Sequence, residues 1–386
     1  MNASTSTRAG ESARQHRRRR TSGLLTALAL GIAAPAPAAE PPALAIRGVT
    51  VITGDGGPPL AARTVIVRGD RIDAVLPANE GILPPGAEII DAGGCYLVPG
   101  FVDTHAHVAM GPITVELHDG QPAMTMEPLP SVAEATARNL LGHGITLARD
   151  PGGPAHLTTA TRDRIARGAL PGPALQVAGD VIDTSRFDNL VATVSSVEDV
   201  RTEVARQAGL GVDWIKLYVG LTPDLIAAGI DEAHRHGLRV TGHLQRTTWT
   251  QAARAGMDSI VHATPGSAEL LPYDARAGYL ASMTTTLFMM QWFGLVDRDA
   301  TVITEMLATL RDHDVSVDPT LVVFHSMAHG DRPRYTENPA LELVPTELVS
   351  NWRTFFNFNF GWTPEDFATA RGLPSTTSGR PARSSG

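Results

Sequence analysis

The chain has 386 residues, 43% of them hydrophobic and 19% charged, which is typical of a globular protein with one large domain and a small satellite. Residues 1–38 contain six arginines and one acid, and the remaining residues include 26 basic and 39 acidic side chains, a net charge of −13. Such an acidic body argues against nucleic acid or an anionic membrane as a partner. The single cysteine, Cys95, excludes an internal disulfide and is expected to be a small buried hydrophobe.

The amino terminus has the pattern of an export signal. A basic run at residues 16–20 precedes an apolar run at 23–30, and small residues at 36–38 offer a cleavage site. The apolar run is too short to span a membrane. We therefore expect residues 1–39 to be a signal peptide and the protein to be exported, periplasmic or extracellular. The pair Arg19-Arg20 is compatible with a twin-arginine signal.

The next segments predict two different kinds of structure. Residues 40–96 contain short alternating strands separated by Gly and Pro, which indicates a small, partial β-sandwich subdomain. From residue 97 to 370, short apolar strands alternate with helical stretches, so we predict an α/β fold, most of a TIM-type (β/α)8 barrel. The candidate strands are 97–104, 144–149, 174–178, 214–219, 239–243, 259–262 and 315–323, and helical periodicity is clear at 132–141, 200–208 and 248–255.

Polar residues stand where these strands end. On a strand, His105 and His107 point to the same side, about 6.5–7 Å apart, close enough to bind one divalent cation. Lys216 lies in the fourth strand, and His243 and His262 end the fifth and sixth. Each could instead have a structural role, such as a hydrogen-bonded core histidine or a salt-bridged lysine. The barrel would bring all five into one mouth, so together they predict a metal site.

Lys216 is the only lysine among 32 basic residues. Arginine can replace lysine wherever only positive charge is needed, but arginine does not lose its proton and become a nucleophilic amine. The single lysine therefore indicates chemistry at its nitrogen.

Four segments together resemble the amidohydrolase superfamily, in particular its imidazolonepropionase-like and Xaa-Pro dipeptidase-like branch. The resemblance covers roughly residues 44–365. It is carried by V-P-G-F-V-D-T-H-A-H at 98–107, G-I-T-L-A-R-D-P-G-G at 144–153, G-V-D-W-I-K at 211–216, and the segment from Gly242-His243 to His262.

The resemblance implies a ligand set and a cofactor. His105 and His107 would bind one metal ion, His243 and His262 a second, and Lys216, carboxylated by carbon dioxide, would bridge them. Zn²⁺ is the default ion for imidazole and oxygen ligands, and Mn²⁺, Co²⁺ and Fe²⁺ are compatible. Two cations sharing a water would lower its pKa toward neutrality and polarise a substrate carbonyl.

The sequence departs from the family pattern near its end. The family places an aspartate at the end of the eighth strand, where it binds metal and acts as general acid/base, and nothing after Val323 matches it. Asp318 is expected to open the seventh strand, at the wrong end for a ligand, and Asp150 to be structural. Residues 371–386 are rich in Ser, Gly, Pro and Arg and are expected to be disordered. We therefore expect a truncated barrel lacking its eighth strand, with no assigned catalytic acid.

Three functions follow as hypotheses. The first is a metal-dependent hydrolase acting on a carbon–nitrogen bond of a small substrate, such as a dipeptide or an N-acyl amino acid. The second is a truncated, catalytically impaired remnant. The third is a mononuclear deaminase or cyclic-amide hydrolase, which the lysine at the bridging position disfavours. Tyr218 is the candidate substrate-binding residue, and Arg246 is also expected within reach of the mouth.

Overall fold

The structure is a computed structural model that describes residues 42–118, 121–263, 268–282, 287–354 and 362–372. The predicted signal peptide and residues 373–386 of the predicted tail lie outside the described residues. The chain divides between Val98 and Pro99 into two units. No helix in the described part of the chain is both long and apolar enough to cross a membrane.

The first unit contains one mixed sheet in the order β3-β2-β1-β4, with β5 also paired to β1. β1 alternates buried and partly exposed residues, as a half-buried strand does, and Gly48, at φ +79°, lies at a register shift within it. A sandwich needs a second, facing sheet, and the described residues of this unit form only one, so the sandwich remains a prediction. The strands are β1 Ala43–Val51, β2 Leu60–Arg68, β3 Arg71–Pro77, β4 Glu88–Asp91 and β5 Tyr96–Leu97.

Cys95 is exposed, so the prediction of a buried cysteine was wrong. It lies in the turn between β4 and β5, where its N–H donates to the Ala92 carbonyl and its own carbonyl accepts from the Thr50 N–H. The backbone of this turn is therefore engaged in hydrogen bonds, while the side chain projects from it.

The second unit contains seven parallel strands in chain order, separated by helices. β6, β9 and β10 form one sheet, and β14 to β17 belong to another, with a single bridge between Ala178 and Trp214 connecting them. Its strands are β6 Phe101–Asp103, β7 Ile113–His118, β8 Gln121–Met126, β9 Ile145–Asp150, β10 Ala174–Val177, β11 Val181–Asp183, β12 Phe187–Asp188, β13 Val191–Thr193, β14 Trp214–Leu217, β15 Arg239–Gly242, β16 Ser259–Val261 and β17 Ser316–Asp318.

The helices of this unit follow the strands, as in β/α repetition. Local signals begin two of them: the Ser196 side chain accepts from the Asp199 N–H, and Thr248 with Gln251 forms a capping box. The helices are α1 Pro130–Gly142, α2 Ala155–Ala166, α3 Val197–Gly209, α4 Pro223–Arg235, α5 Trp249–Arg254, α6 Tyr273–Ser282, α7 Phe288–Leu295, α8 Thr301–Asp312, α9 Leu321–His329, α10 Pro333–Thr336, α11 Thr346–Thr354 and α12 Pro364–Gly372, with 3-10 turns at Ala268–Leu270 and Pro339–Leu343.

The main core lies between strands β14 to β16 and the helices that cover them. Ile215, Leu217 and Val240 of the strands pack against Ile226 and Ile230 of α4, all fully buried. Strands β14 and β16 are buried along their whole length, as strands of a parallel sheet covered by helices are. This core fixes the strands that carry Lys216, His243 and His262.

The ring of strands is not closed by backbone pairing in the described residues, because no pairing joins β17 to β6. The described residues after Asp318 form helices and connecting segments. The α/β repetition is as predicted, and the absence of an eighth strand remains a prediction.

Two sequence-based boundaries were wrong. The predicted strand 315–323 is only Ser316–Asp318, and α9 begins at Leu321, because Pro319 cannot donate to a strand ladder and Thr320 adopts φ +45°. The tail was expected to begin at Arg371, but α12 continues through Gly372. Arg371 is held there by the Ala328 carbonyl and the Asp331 carboxylate.

Candidate functional site

The five predicted metal-site residues lie at one edge of the parallel strands. Lys216 is in β14, and His243 and His262 directly follow β15 and β16. The pairing aligns Leu217 with Gly242 and Gly242 with Ile260, so these strands end at the same level. Carboxyl ends of parallel strands form the active-site face of such folds.

The four imidazole rings form a contiguous group. Ring centroids lie 5.1 Å apart for His105 and His107, 5.0 Å for His105 and His262, and 4.2 Å for His243 and His262. Lys216 and three of these histidines line one cavity of about 250 Å³. The structure therefore brings the predicted residues together, and their role as metal ligands remains a prediction.

The two histidines of the H-x-H motif lie in the loop after β6 and not on a strand, which corrects the predicted geometry. The strand ends at Asp103, whose carboxylate accepts from the His105 N–H at 2.9 Å. Asp150, which is fully buried, accepts from the Val108 N–H at 2.9 Å. These bonds curl the loop, which accounts for ring centroids closer than two strand residues would place them.

The Nδ1 atoms of the four rings fall into two pairs: two have a hydrogen-bond partner, and two have none among the described residues. His107 Nδ1 donates to the Gly152 carbonyl at 2.8 Å, and His262 Nδ1 lies 2.7 Å from Thr320 Oγ1. The other ring nitrogen of each remains available as a ligand. Nδ1 of His105 and of His243 is buried and has no hydrogen-bond partner among the described residues. Buried polar atoms without partners are costly, and a bound cation would satisfy them.

His262 is held in a strained backbone conformation. Its φ is +73°, in the left-handed region that non-glycine residues rarely adopt. Its N–H donates to the Asp318 carbonyl at 2.7 Å, and its ring contacts Thr320, which also has a positive φ. Strain of this kind persists where surrounding contacts impose it, commonly at functional sites.

All four histidines are neutral near pH 7. Burial lowers the pKa of His107 to about 4 and that of His262 to about 3. Burial also lowers the pKa of His105 and of His243, well below the usual value, and the positive charges nearby act in the same direction. Neutral imidazole is the form that binds metal.

Lys216 is buried. Burial, followed by the charge of Arg149, lowers the pKa of its amine to about 7, and the charges of Asp318 and Asp150 offset only part of this effect. No carboxylate of the described residues lies within 4.0 Å of its Nζ. A substantial fraction of this amine is therefore unprotonated at neutral pH, as nucleophilic chemistry requires.

Asp318 ends its strand at the same edge as the histidines, so the expectation that it opens the strand at the opposite end was wrong. Pairing aligns it with Val261, next to His262. Its Oδ2 accepts from Thr104 Oγ1 at 2.5 Å and lies 3.6 Å from a guanidinium nitrogen of Arg149. Asp318 thus connects β17 to the end of β6 through side chains.

Tyr218 lines the cavity, whereas Arg246 does not. The Tyr218 ring meets the His243 ring edge-on at 4.7 Å, and burial raises the pKa of its hydroxyl to about 12. Tyr218 is therefore a neutral hydrogen-bond donor. Arg246 is exposed, and its predicted position within reach of the mouth remains a prediction.

Sequence reasoning missed the groups that position the histidines. Gly152 and Thr320 contact His107 and His262 through their carbonyl and hydroxyl, respectively. A Cβ at position 152 would lie 2.8 Å from Val181 Cγ2, so glycine is required there. The D-P-G-G segment at 150–153 was the available signal for this turn, whereas nothing local marks Thr320.

Within the described ranges, no three His, Cys, Asp or Glu side chains are arranged to hold a single ion. The predicted set of two imidazoles for each of two ions, completed by oxygens from a modified lysine and water, therefore remains a prediction.

Comparisons with known proteins agree on one family. The model for the amidohydrolase family matches residues 96–305, more than half of the chain. The chain is 32% identical over 201 residues to an uncharacterised protein of Mycobacterium tuberculosis, covering 46% of this chain and 47% of the relative. It is 39% identical over 84 residues to adenine deaminase of Rubrobacter xylanophilus, covering 22% of this chain and 14% of that enzyme. The matched segments therefore span less than half of either relative.

Among solved structures, the fold is similar to a prolidase crystallised with N-methylphosphonate-L-proline. The TM-score is 0.54 at 20% identity, covering 85% of this chain and 76% of that one. At this identity the likeness concerns the fold alone. Because the family model matches more than half of the chain, the chain belongs to the amidohydrolase family.

Proposed function

We propose that the protein is a binuclear metal-dependent hydrolase that cleaves a carbon–nitrogen bond of a small amide or peptide-like substrate. One observation carries the proposal. Four neutral imidazoles, two of them with unpartnered buried nitrogens, meet beside a buried lysine that has no ion-pair partner among the described residues. A packed core gains nothing from such an arrangement, because each unsatisfied polar atom costs free energy.

The residues fit a pair of divalent cations. His105 and His107 would hold one ion, His243 and His262 the other, and the carbamate of Lys216 would bridge them, with Zn²⁺ as the default metal. Carbamate formation requires an unprotonated amine, which attacks carbon dioxide, forms an N–C bond and releases a proton. The lowered pKa of Lys216, about 7, favours this step at neutral pH.

Bound in this way, the cations would supply Lewis acidity toward the substrate carbonyl and activate a water. The chain's own residues do the rest. The Gly152 carbonyl and the Thr320 hydroxyl hold two rings in orientation, and Tyr218 offers a neutral O–H to the substrate.

The same proposal covers the architecture and the location of the enzyme. The seven parallel strands support an incomplete barrel as the scaffold, since the site lies at their carboxyl ends. The basic and apolar segments of residues 16–30 support export before the enzyme acts.

Metal analysis with turnover tests the function. The purified protein should contain about two equivalents of zinc or a similar metal and hydrolyse members of a panel of amides and dipeptides. Chelation should abolish hydrolysis, and adding back metal with bicarbonate should restore it. Enrichment with ¹³C-bicarbonate should give a carbamate carbon signal by NMR that is missing in Lys216→Arg.

Other results would point elsewhere. One equivalent of metal without the carbamate signal would favour the mononuclear alternative. Little metal and no turnover would favour the impaired remnant and contradict the proposal.

Thr320→Val is expected to weaken metal binding about 10- to 100-fold. Losing a group that hydrogen-bonds to the second ring nitrogen of a metal-binding histidine typically has an effect of this size. Valine keeps the branched shape and removes the hydroxyl that contacts His262 Nδ1. The measurement is a zinc titration against a competing chelator. Thr309→Val is the matched control, since its hydroxyl makes an exposed hydrogen bond to the Glu305 carbonyl within helix α8. Equal affinities for the two variants would contradict the positioning role.

A further inference from the structure

The cavity beside the histidines has two unlike walls. Lys216 and the rings of His105, His107 and His262 form one wall. The other is apolar and is built from the hairpin β7–β8 and strands β11 to β13. Its principal side chains are Met110, Ile113, Met124, Val181, Phe187 and Leu190, most of which also pack together around Met126.

The few polar groups on the apolar side are already engaged or neutral. Ser185 donates its hydroxyl to Asp183 Oδ2 at 2.6 Å, and Asp183 also accepts from the Gly220 N–H at 2.8 Å. Tyr218 offers one neutral hydroxyl. This side therefore provides shape and apolar contact, with at most one hydrogen bond for orientation.

Apart from the histidines proposed as metal ligands, Lys216 is the only basic side chain among the described residues that line the cavity. Once carboxylated, it carries a negative charge instead. A substrate carboxylate on the apolar side would then lose water without gaining an oppositely charged partner, which is unfavourable.

We infer that the substrate is a small, uncharged amide, carbamate or urea with apolar substituents, and that dipeptides and N-acyl amino acids with a free carboxylate are poor substrates. The inference rests on the proposed function and specifies its substrate class. The cavity volume of about 250 Å³ lies below the roughly 300–1,000 Å³ of pockets for drug-sized ligands, in agreement with a small substrate.

A matched pair of compounds tests the inference. N-acetyl-L-leucinamide and N-acetyl-L-leucine have the same shape and differ by one negative charge. For the metal-loaded enzyme, kcat/KM should be at least tenfold higher for the neutral compound. Calorimetric binding to the Lys216→Met variant, which should not turn over, should show at least a tenfold lower Kd for the neutral compound.

A charge-introducing variant adds an internal control. Met124→Arg places a guanidinium on the apolar wall and should reduce or reverse both preferences. Leu141→Arg, at a site on α1 of similar exposure and away from this cavity, should change neither.

The outcomes separate the inference from the function on which it rests. Equal or tighter binding of N-acetyl-L-leucine, or no binding of either compound, would overturn the inference. Selective binding of the neutral compound without metal-dependent hydrolysis of any amide would support the apolar site and overturn the proposed function. Faster hydrolysis of N-acetyl-L-leucine would confirm a hydrolase and overturn the substrate class.

Discussion

Replacing Lys216 with methionine should remove paired-metal binding and lower kcat/KM by at least about 10³-fold, while making the metal-free protein more stable. The loss follows because Lewis-acid assistance is worth several kcal/mol and each 1.36 kcal/mol is a factor of ten in rate. The gain follows because the amine is buried without an ion-pair partner in the described residues, and methionine has a similar volume without the charge.

The stability gain should depend on pH in a defined direction. In the folded protein the pKa of Lys216 is about 7, and in the unfolded chain the amine titrates near the ordinary lysine pKa of 10.5. Between these values the unfolded chain binds more protons, so wild-type stability rises with pH. The advantage of methionine, about 1–4 kcal/mol, should be full below pH 7 and disappear toward pH 10.5.

Chemical unfolding of both metal-free proteins at pH 6 and pH 9, in buffer free of carbon dioxide, measures this difference. Metal content by mass spectrometry measures the expected loss of paired-metal binding in Lys216→Met. Two retained equivalents of metal in Lys216→Met would refute the bridge. A destabilised variant at pH 6 would refute the burial of an unpaired amine.

Asp318→Ala should destabilise the protein by about 3 kcal/mol or more. The carboxylate pairs with Arg149, which is itself only 11% exposed, and accepts the Thr104 hydroxyl. Its removal would leave a buried guanidinium without its counter-charge, a change that typically costs 3–5 kcal/mol. Urea unfolding of the metal-free protein measures the loss without interference from bound ions.

Asp312→Ala is the matched control. Asp312 pairs with Arg311 on the surface of the same unit, with both side chains more than half exposed, so its removal should cost at most about 1 kcal/mol. Asp318→Asn should fall between the two, because an amide keeps an acceptor for Thr104. A cost for Asp318→Ala as small as that of the control would show that this carboxylate contributes little to closing the strand edge.

The sequence predicted the parallel strands, and the grouping of Lys216 with the four histidines at their carboxyl ends, because both follow simple rules. Apolar runs separated by amphipathic helices indicated parallel strands, and the carboxyl-end rule placed Lys216, His243 and His262 together. This success needed no knowledge of long-range contacts. Each residue is positioned by its own strand, and the parallel arrangement aligns the strands.

The parts that were not predicted depend on irregular backbone. Residues 315–323 read V-S-V-D-P-T-L-V-V, a mixture of aliphatic and polar residues around a proline. A short stretch of this kind does not distinguish strand from helix. Pro319 was the available signal that the strand ends at Asp318. The hairpin β7–β8 and strands β11 to β13, which form the apolar wall of the cavity, lie in segments that resembled loops. The left-handed φ of His262 is imposed by tertiary contacts.

Because β6 and β17 are not paired in the described residues, the strands that carry the two halves of the site differ in their number of neighbours. Lys216 lies in, and His243 directly follows, a strand with a neighbour on each side, whereas His105 and His107 follow a strand that is paired on one side only within the described ranges. Strands with a single neighbour open at lower free-energy cost than central ones. Cations bound by both halves would connect the loop after β6 to the central strands β14 and β15. Metal binding would therefore also stabilise the fold at this edge.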